Sequence, residues 1–216
     1  MPYSDLYRSL ISQLSMLEEV LLPKVYDPTG FYSQEAFLKA TAYRVLAHAE
    51  IESYLEERVK NIAIEAVKAW KERRTASRTL AALLAFSGIL MDVPPDTIYP
   101  ADPSQKAKWH EKISLSGKID KAKGSFIARI ITNHGMKEEN ILRLLLPIGF
   151  EVDKIDTVLL ADMNSFGERR GEAAHTSIST RRQYDPKDEL QIVKAIAKGL
   201  GQLDEGMEAL KGQGAS

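Results

Sequence analysis

Apolar residues recur every three or four positions along most of this chain, the spacing of an amphipathic helix. Over residues 4–22 the repeat is carried by Leu6, Leu10, Leu14, Leu17 and Leu21, with Ser4 placed to cap the first turn. Asp27-Pro28-Thr29-Gly30 interrupts the pattern with turn chemistry. Ser33 is positioned to cap a second run, residues 34 to about 73. Phe37, Ala40, Thr41, Val45, Ile51, Leu55, Val59, Ile62, Ala66 and Ala69 fall on roughly one face of it. The run is well beyond the usual helix length. A break at 73–75 separates it from a shorter run over 76–91.

Residues 92–103 hold Pro94, Pro95, Pro100 and Pro103, which remove donors and clash with a preceding turn. They predict a loop that divides the chain into two halves. Residues 104–132 read as a helix weakened by Gly117 and Gly124. Asn133-His134-Gly135 stops it, since Gly135 can take the left-handed conformation. Short apolar helices are expected over 138–147 and 153–175. In Tyr184-Asp185-Pro186, Asp185 caps a last helix with Pro186 in its first turn, running to about residue 211. Strand alternation is missing, so the expected class is all-α. The organisation expected is a helix and turn over 1–32, a helical domain over 33–211 that includes the loop 92–103, and a tail over 212–216.

Composition narrows the chemistry. The 216 residues are 44% hydrophobic and 27% charged, enough to bury a core without staples. There is no cysteine, which excludes disulfides, thiolate metal sites and cysteine nucleophiles. A net charge of −1 argues against a sequence-blind cationic nucleic-acid binder, while leaving room for a local basic patch. The apolar stretches 80–91 and 141–150 are too short to span a bilayer. Residues 1–20 carry Asp5, Glu18 and Glu19 and lack a basic region before an apolar run, unlike a signal peptide. A cytoplasmic protein with no membrane partner is expected.

The segment 163–177, which contains Arg169, Arg170, Gly171, Glu172, Ala173, Ala174 and His175, concentrates the candidate chemistry. Arginine stays charged and grips phosphate in a fork. Histidine titrates near neutrality and can give or take a proton. Five residues apart, Arg170 and His175 differ by about 140° around an ideal helix. Gly171, Ala173 and Ala174 leave backbone accessible to a second helix or a phosphate-bearing ligand. Arg169 can contact RNA or pair with Glu172. Lys68, Lys71, Arg73, Arg74 and Arg78 with Trp70 form a basic cluster with a stacking ring, a pattern that suits RNA. His48 and Glu52 stand at metal-ligand spacing, but no third ligand accompanies them, so no metal and no cofactor is expected. Ser177 and Ser179 lack a His–Asp constellation.

Arg170-Gly171-Glu172-Ala173-Ala174-His175 resembles the Arg-x4–6-His signature of the HEPN superfamily. The layout is similar to its RiboL-PSP type: a long early helix with an acidic patch at Glu50, Glu52 and Glu56, then the segment 133–150, then the motif late in a following helix. The resemblance covers about residues 33–211. It implies a HEPN-like helical bundle with a long N-terminal helix and an additional helical segment, working as a homodimer with its motifs paired. It implies a metal-independent endoribonuclease, a toxin or antiphage or stress-defence effector with RNA as substrate and a cognate antitoxin or defence-system partner. Arg170 and His175 would be catalytic, Arg169, Glu172, Lys71, Arg73 and Arg74 would contact RNA, and Glu50 or Glu52 would support the motif. Many active members carry Asn or Asp after the arginine, where this chain has Gly171. The other reading that the resemblance allows is a non-catalytic module that dimerises or docks on a partner. Cleavage without metal needs a base for the 2′-OH, an acid for the 5′-oxygen and positive charge on the phosphorane.

Overall fold

The computed structural model describes residues 3–88, 97–106, 109, 113–175 and 183–211, the side chains of 105 and 169–175 excepted. Among the described residues every regular element is a helix. The α-helices are α1 (Asp5–Leu21), α2 (Gln34–Arg73), α3 (Arg78–Ala85), α4 (Leu115–Ile131), α5 (Glu138–Leu145), α6 (Thr157–His175) and α7 (Pro186–Leu210). Single 3₁₀ turns occupy Pro103–Gln105, Leu146–Ile148 and Val152–Lys154.

Side chains that hold the first free N–H groups set most helix starts. The hydroxyls of Ser4, Ser33 and Ser77 accept from the amides of Tyr7, Ala36 and Leu80. The Asp185 carboxylate accepts from Lys187 N at 2.8 Å, with Pro186 at the first position. Two boundaries differ from the reading of the sequence. The helix expected over 104–132 is interrupted: Lys106, Trp109 and Ile113 are helical, but Ser114 is extended and its hydroxyl caps Gly117 N at 3.0 Å, so α4 starts afresh at Leu115. The helix expected over 76–91 ends at Ala85, followed by Gly88 at a φ of +72°. Residues 97–102 are non-helical and Pro103 opens a 3₁₀ turn; the rest of the proline-rich stretch, like the tail 212–216, lies outside the described residues. At the end of α2, Arg74 takes the left-handed conformation, with φ 57°.

The 40-residue α2 is the central element. Helix α1 lies along it, burying Tyr7, Leu10 and Leu14 at helical spacing. Helix α7 runs parallel to α2, since Arg44 meets Glu189 and, fourteen residues on, Arg58 meets Asp204 and Glu208. Helix α6 runs antiparallel to both. Near its start Leu159 packs against Gly199, where a Cβ would come within 2.8 Å of the leucine side chain. Further along, Phe166 reaches Arg44 and His48. The core lies where these helices meet, around Ile51, Leu55, Met163, Phe166, Ile196 and Leu200.

Asp204 ties the two ends of the chain together. It is fully buried. It accepts from Ser4 N and the Ser4 hydroxyl at 2.7 Å each, from the Tyr54 hydroxyl at 2.9 Å and from Arg58 Nε at 2.8 Å. Burial pushes its carboxyl up, but the Ser4 bonds and the Arg58 charge outweigh burial and hold it below the usual aspartate value. Such a group stabilises the fold above its unfolded pKa of about 3.9, and the contribution is lost as pH falls through the lower folded value. Asp204→Asn should therefore cost on the order of 3 kcal/mol at pH 7, because it removes one of the two carboxylates paired with buried Arg58 and the charge that accepts from Ser4 and Tyr54. Urea denaturation at pH 7 and pH 3 checks this. The gap between wild type and variant should narrow at the lower pH; a constant gap would contradict the assignment.

Candidate functional site

The helix that carries Arg170 and His175 is seated by a buried arginine on α2. Helix α6 turns Leu159, Leu160, Met163 and Phe166 inward, the spacing of one apolar face. Arg44 is fully buried beneath it. Its Nη2 donates to Glu189 Oε1 at 2.7 Å and its Nη1 to the Phe166 carbonyl at 3.2 Å. Its guanidinium carbon lies 4.6 Å from the centre of the Phe166 ring and 4.8 Å from that of Tyr184. In an α-helix the carbonyl of residue 166 also accepts the amide of residue 170. Arg44 thus holds the same turn that positions Arg170.

The antiparallel register carries the motif to one end of the bundle. Phe166 stands level with Arg44 on α2 and, through it, with Glu189 in the first turn of α7, and Arg170 follows one turn beyond. His175 ends α6, roughly 13 Å beyond Phe166 along the helix. Arg169 and Glu172 belong to the same closing turns.

One turn before Arg170, α6 faces a polar pocket. His48, buried, stacks on Phe166 with ring centres 6.1 Å apart. Its Nδ1 lies 3.5 Å from Glu52 Oε2. Glu52 Oε1 accepts the backbone amide of Gly135, whose φ of +109° turns that amide toward α2. Asn133 Nδ2 donates to Glu56 Oε1 at 3.0 Å, and Asn140 Nδ2 to the His134 carbonyl at 3.0 Å, so the turn 133–137 is bound at both ends. Burial, joined by the charge of Glu52, raises the Glu56 carboxyl above its ordinary value. His48, Glu52, His134, Gly135, Met136, Lys137 and Gly167 enclose about 340 Å³. Glu52 therefore stands beside the motif helix. Glu50, two residues earlier and about 200° round α2, is not brought to this pocket.

The basic cluster sits at the opposite end. Lys71, Arg73 and Arg74 close α2, about 40 Å along its axis from Arg44. Lys71 pairs with Asp120 at 2.8 Å, and the Arg74 guanidinium carbon is 5.9 Å from the Trp70 ring centre. Arg78 donates to the Gly149 carbonyl at 2.8 Å and pairs with Glu151. These cations and the motif do not form one surface patch. Among the described residues no three His, Asp or Glu side chains gather as a metal site.

The RiboL-PSP-HEPN family model matches residues 8–203. The chain belongs to this HEPN family. No curated protein and no solved structure matches it. The match begins inside α1, so the family resemblance reaches further toward the N-terminus than residue 33. Among the described residues of this HEPN chain, no helix is long and apolar enough to cross a membrane.

Arg44, Glu189 and the turn 133–137 are the parts of the site that the apolar pattern alone does not reveal. The available signal was Arg44 itself, a charge in phase with Ala40, Ala47 and Ile51 on the apolar face of α2. Removing one partner of a buried pair leaves the other uncompensated, so Arg44→Met should cost on the order of 3–5 kcal/mol. The double variant Arg44→Met with Glu189→Leu should recover much of that loss. Urea denaturation of the single and double variants measures both. A double variant as unstable as the sum of the singles would show that the two charges are not coupled.

Proposed function

We propose that this HEPN protein is a metal-independent endoribonuclease, acting as a homodimer in a toxin or antiphage or stress-defence setting. The observation that carries the reading is the Arg170-x4-His175 spacing at the end of α6, in a chain of the RiboL-PSP-HEPN family. A rigid seat for the motif supports it, because catalytic groups on a helix are held more closely than groups on a loop.

In the proposed reaction the ribose 2′-oxygen attacks the adjacent phosphorus as a base removes its proton. The bond from phosphorus to the 5′-oxygen breaks, and an acid supplies a proton to that oxygen. Arg170 holds the scissile phosphate and offsets the charge on the phosphorane. His175 is the proton-transfer group. Arg169 adds backbone contact beside it, and Glu52 supports the motif from α2. The cluster of Lys71, Arg73 and Arg74 serves RNA at the far end of the molecule. Each chain brings one motif histidine to a reaction with two proton transfers. Two chains with facing motifs supply both, and the small residues Gly171, Ala173 and Ala174 allow the close approach.

His175→Ala and Arg170→Ala should each lower cleavage at least roughly 10²-fold, the usual worth of an acid–base group, with fold and dimer retained. Gel assays of RNA cleavage in excess EDTA should show full activity and a 2′,3′-cyclic phosphate product, with DNA uncut. Loss of cleavage in EDTA, or cutting of DNA, argues against the 2′-OH route.

Mixed dimers test the stoichiometry. A wild-type/His175→Ala heterodimer, purified through two different tags, should be as impaired as the double-variant dimer within about tenfold. Half of wild-type activity in the heterodimer would mean that each chain works alone.

A further inference from the structure

We propose that the pocket between α2, the turn 133–137 and α6 is a base-recognition site selective for guanine. This rests on the reading of Arg170 as the phosphate-binding residue. The pocket encloses about 340 Å³, at the lower end of ligand-site volumes and suited to a single ring system rather than a large ligand. Its α6 wall is Gly167, where a Cβ would stand 3.8 Å from His48 Nε2 and 3.9 Å from Met136 N. Any larger side chain there would grow into the space. Gly167, Arg170, Gly171 and Ala174 follow the i, i+3, i+4, i+7 spacing of one helix face. A phosphate held at Arg170 is therefore about one turn, roughly 5 Å of helix rise, from the pocket, within reach of a base on the same nucleotide.

The chemistry of the lining selects the base. Glu52 is the acidic group in the pocket, and its carboxylate has about four lone-pair sites. The Gly135 amide takes one, and His48 Nδ1 stands near the other oxygen at 3.5 Å. Both oxygens keep acceptor capacity toward the cavity. Guanine presents two neighbouring donors on one edge, N1–H and the 2-amino group, which match the two oxygens. Adenine and cytosine each set an acceptor nitrogen beside their amino donor, and uracil flanks its single N–H with two carbonyl oxygens. All three bring a lone pair against the carboxylate. His134 lines the rim and supplies a ring for stacking. The bonds from Asn133 to Glu56 and from Asn140 to the His134 carbonyl hold the turn in place before any base arrives.

The test is calorimetric titration of the full-length protein with 5′-GMP, 5′-AMP, 5′-CMP and 5′-UMP, run also on Glu52→Gln, Gly167→Leu and His175→Ala. GMP should bind at least about tenfold tighter than the other three, the discrimination expected when charge-assisted hydrogen bonds are present for one ligand and absent for the rest. Glu52→Gln and Gly167→Leu should each lose that preference, with unchanged circular dichroism. His175→Ala should keep it. Equal affinity for all four nucleotides, or a GMP preference that survives Glu52→Gln, overturns the proposal. Cleavage mapping separates this failure from that of the nuclease reading. RNA cut without regard to guanine, with Glu52→Gln slowing all sites equally, rejects the base pocket and leaves the nuclease standing. Selective GMP binding by a protein that cuts no RNA supports the pocket and rejects the nuclease.

Discussion

The buried guanidinium of Arg44 is the constraint on which the rest of the structure depends. A charge removed from water is tolerable only when its hydrogen-bonding and electrostatic needs are met in place. Arg44 is compensated by a carboxylate from α7, a carbonyl from α6 and two aromatic faces, Phe166 and Tyr184, with its Nε left without a hydrogen-bond partner. Sliding α7 or α6 by one turn would strand the charge. Apolar packing alone would resist such a slide much less, because leucine and isoleucine faces accept several registers.

A second buried bridge makes the constraint rigid. Arg58 follows Arg44 by fourteen residues on α2, and Asp204 follows Glu189 by fifteen on α7. The two bridges stand roughly 21 Å apart along parallel helices, so they settle translation and rotation together. Asp204 also binds the backbone amide and hydroxyl of Ser4, which draws α1 into the same arrangement. Three segments distant in sequence are thereby locked to one another by two arginines and three acids, Glu189, Asp204 and Glu208.

That rigidity is what a site on α6 requires. The motif arginine follows a turn held from below by Arg44, and the preceding turn, at Gly167, borders the pocket floored by Glu52. Gly167 and Arg170 therefore sit on one helix face, three residues apart. The opposite end of α2, with Lys71, Arg73 and Arg74, lies about 40 Å along the helix from Arg44 and belongs to a separate surface.

The local order of the chain was legible from its residues. Helical spacing announced the α class and the single long helix over residues 34–73. Ser33 and the Asp185-Pro186 pair marked helix starts, because capping is a contact between near neighbours. The Arg170–His175 motif and its family were legible for the same reason: five consecutive residue spacings need no tertiary information. Where signals competed locally, the reading slipped. Ser114 restarted a helix within a run that looked continuous. The burial of Arg44, Arg58, Glu189 and Asp204 was not legible, since burial of a charge depends on a partner some 145 residues away. The Glu52 pocket likewise exists only because the turn 133–137 and Gly167 arrive beside α2. Short-range spacing determined the helices and the motif; tertiary packing decided which charges are buried and which residues share a site, because electrostatic compensation is met in space and not along the chain.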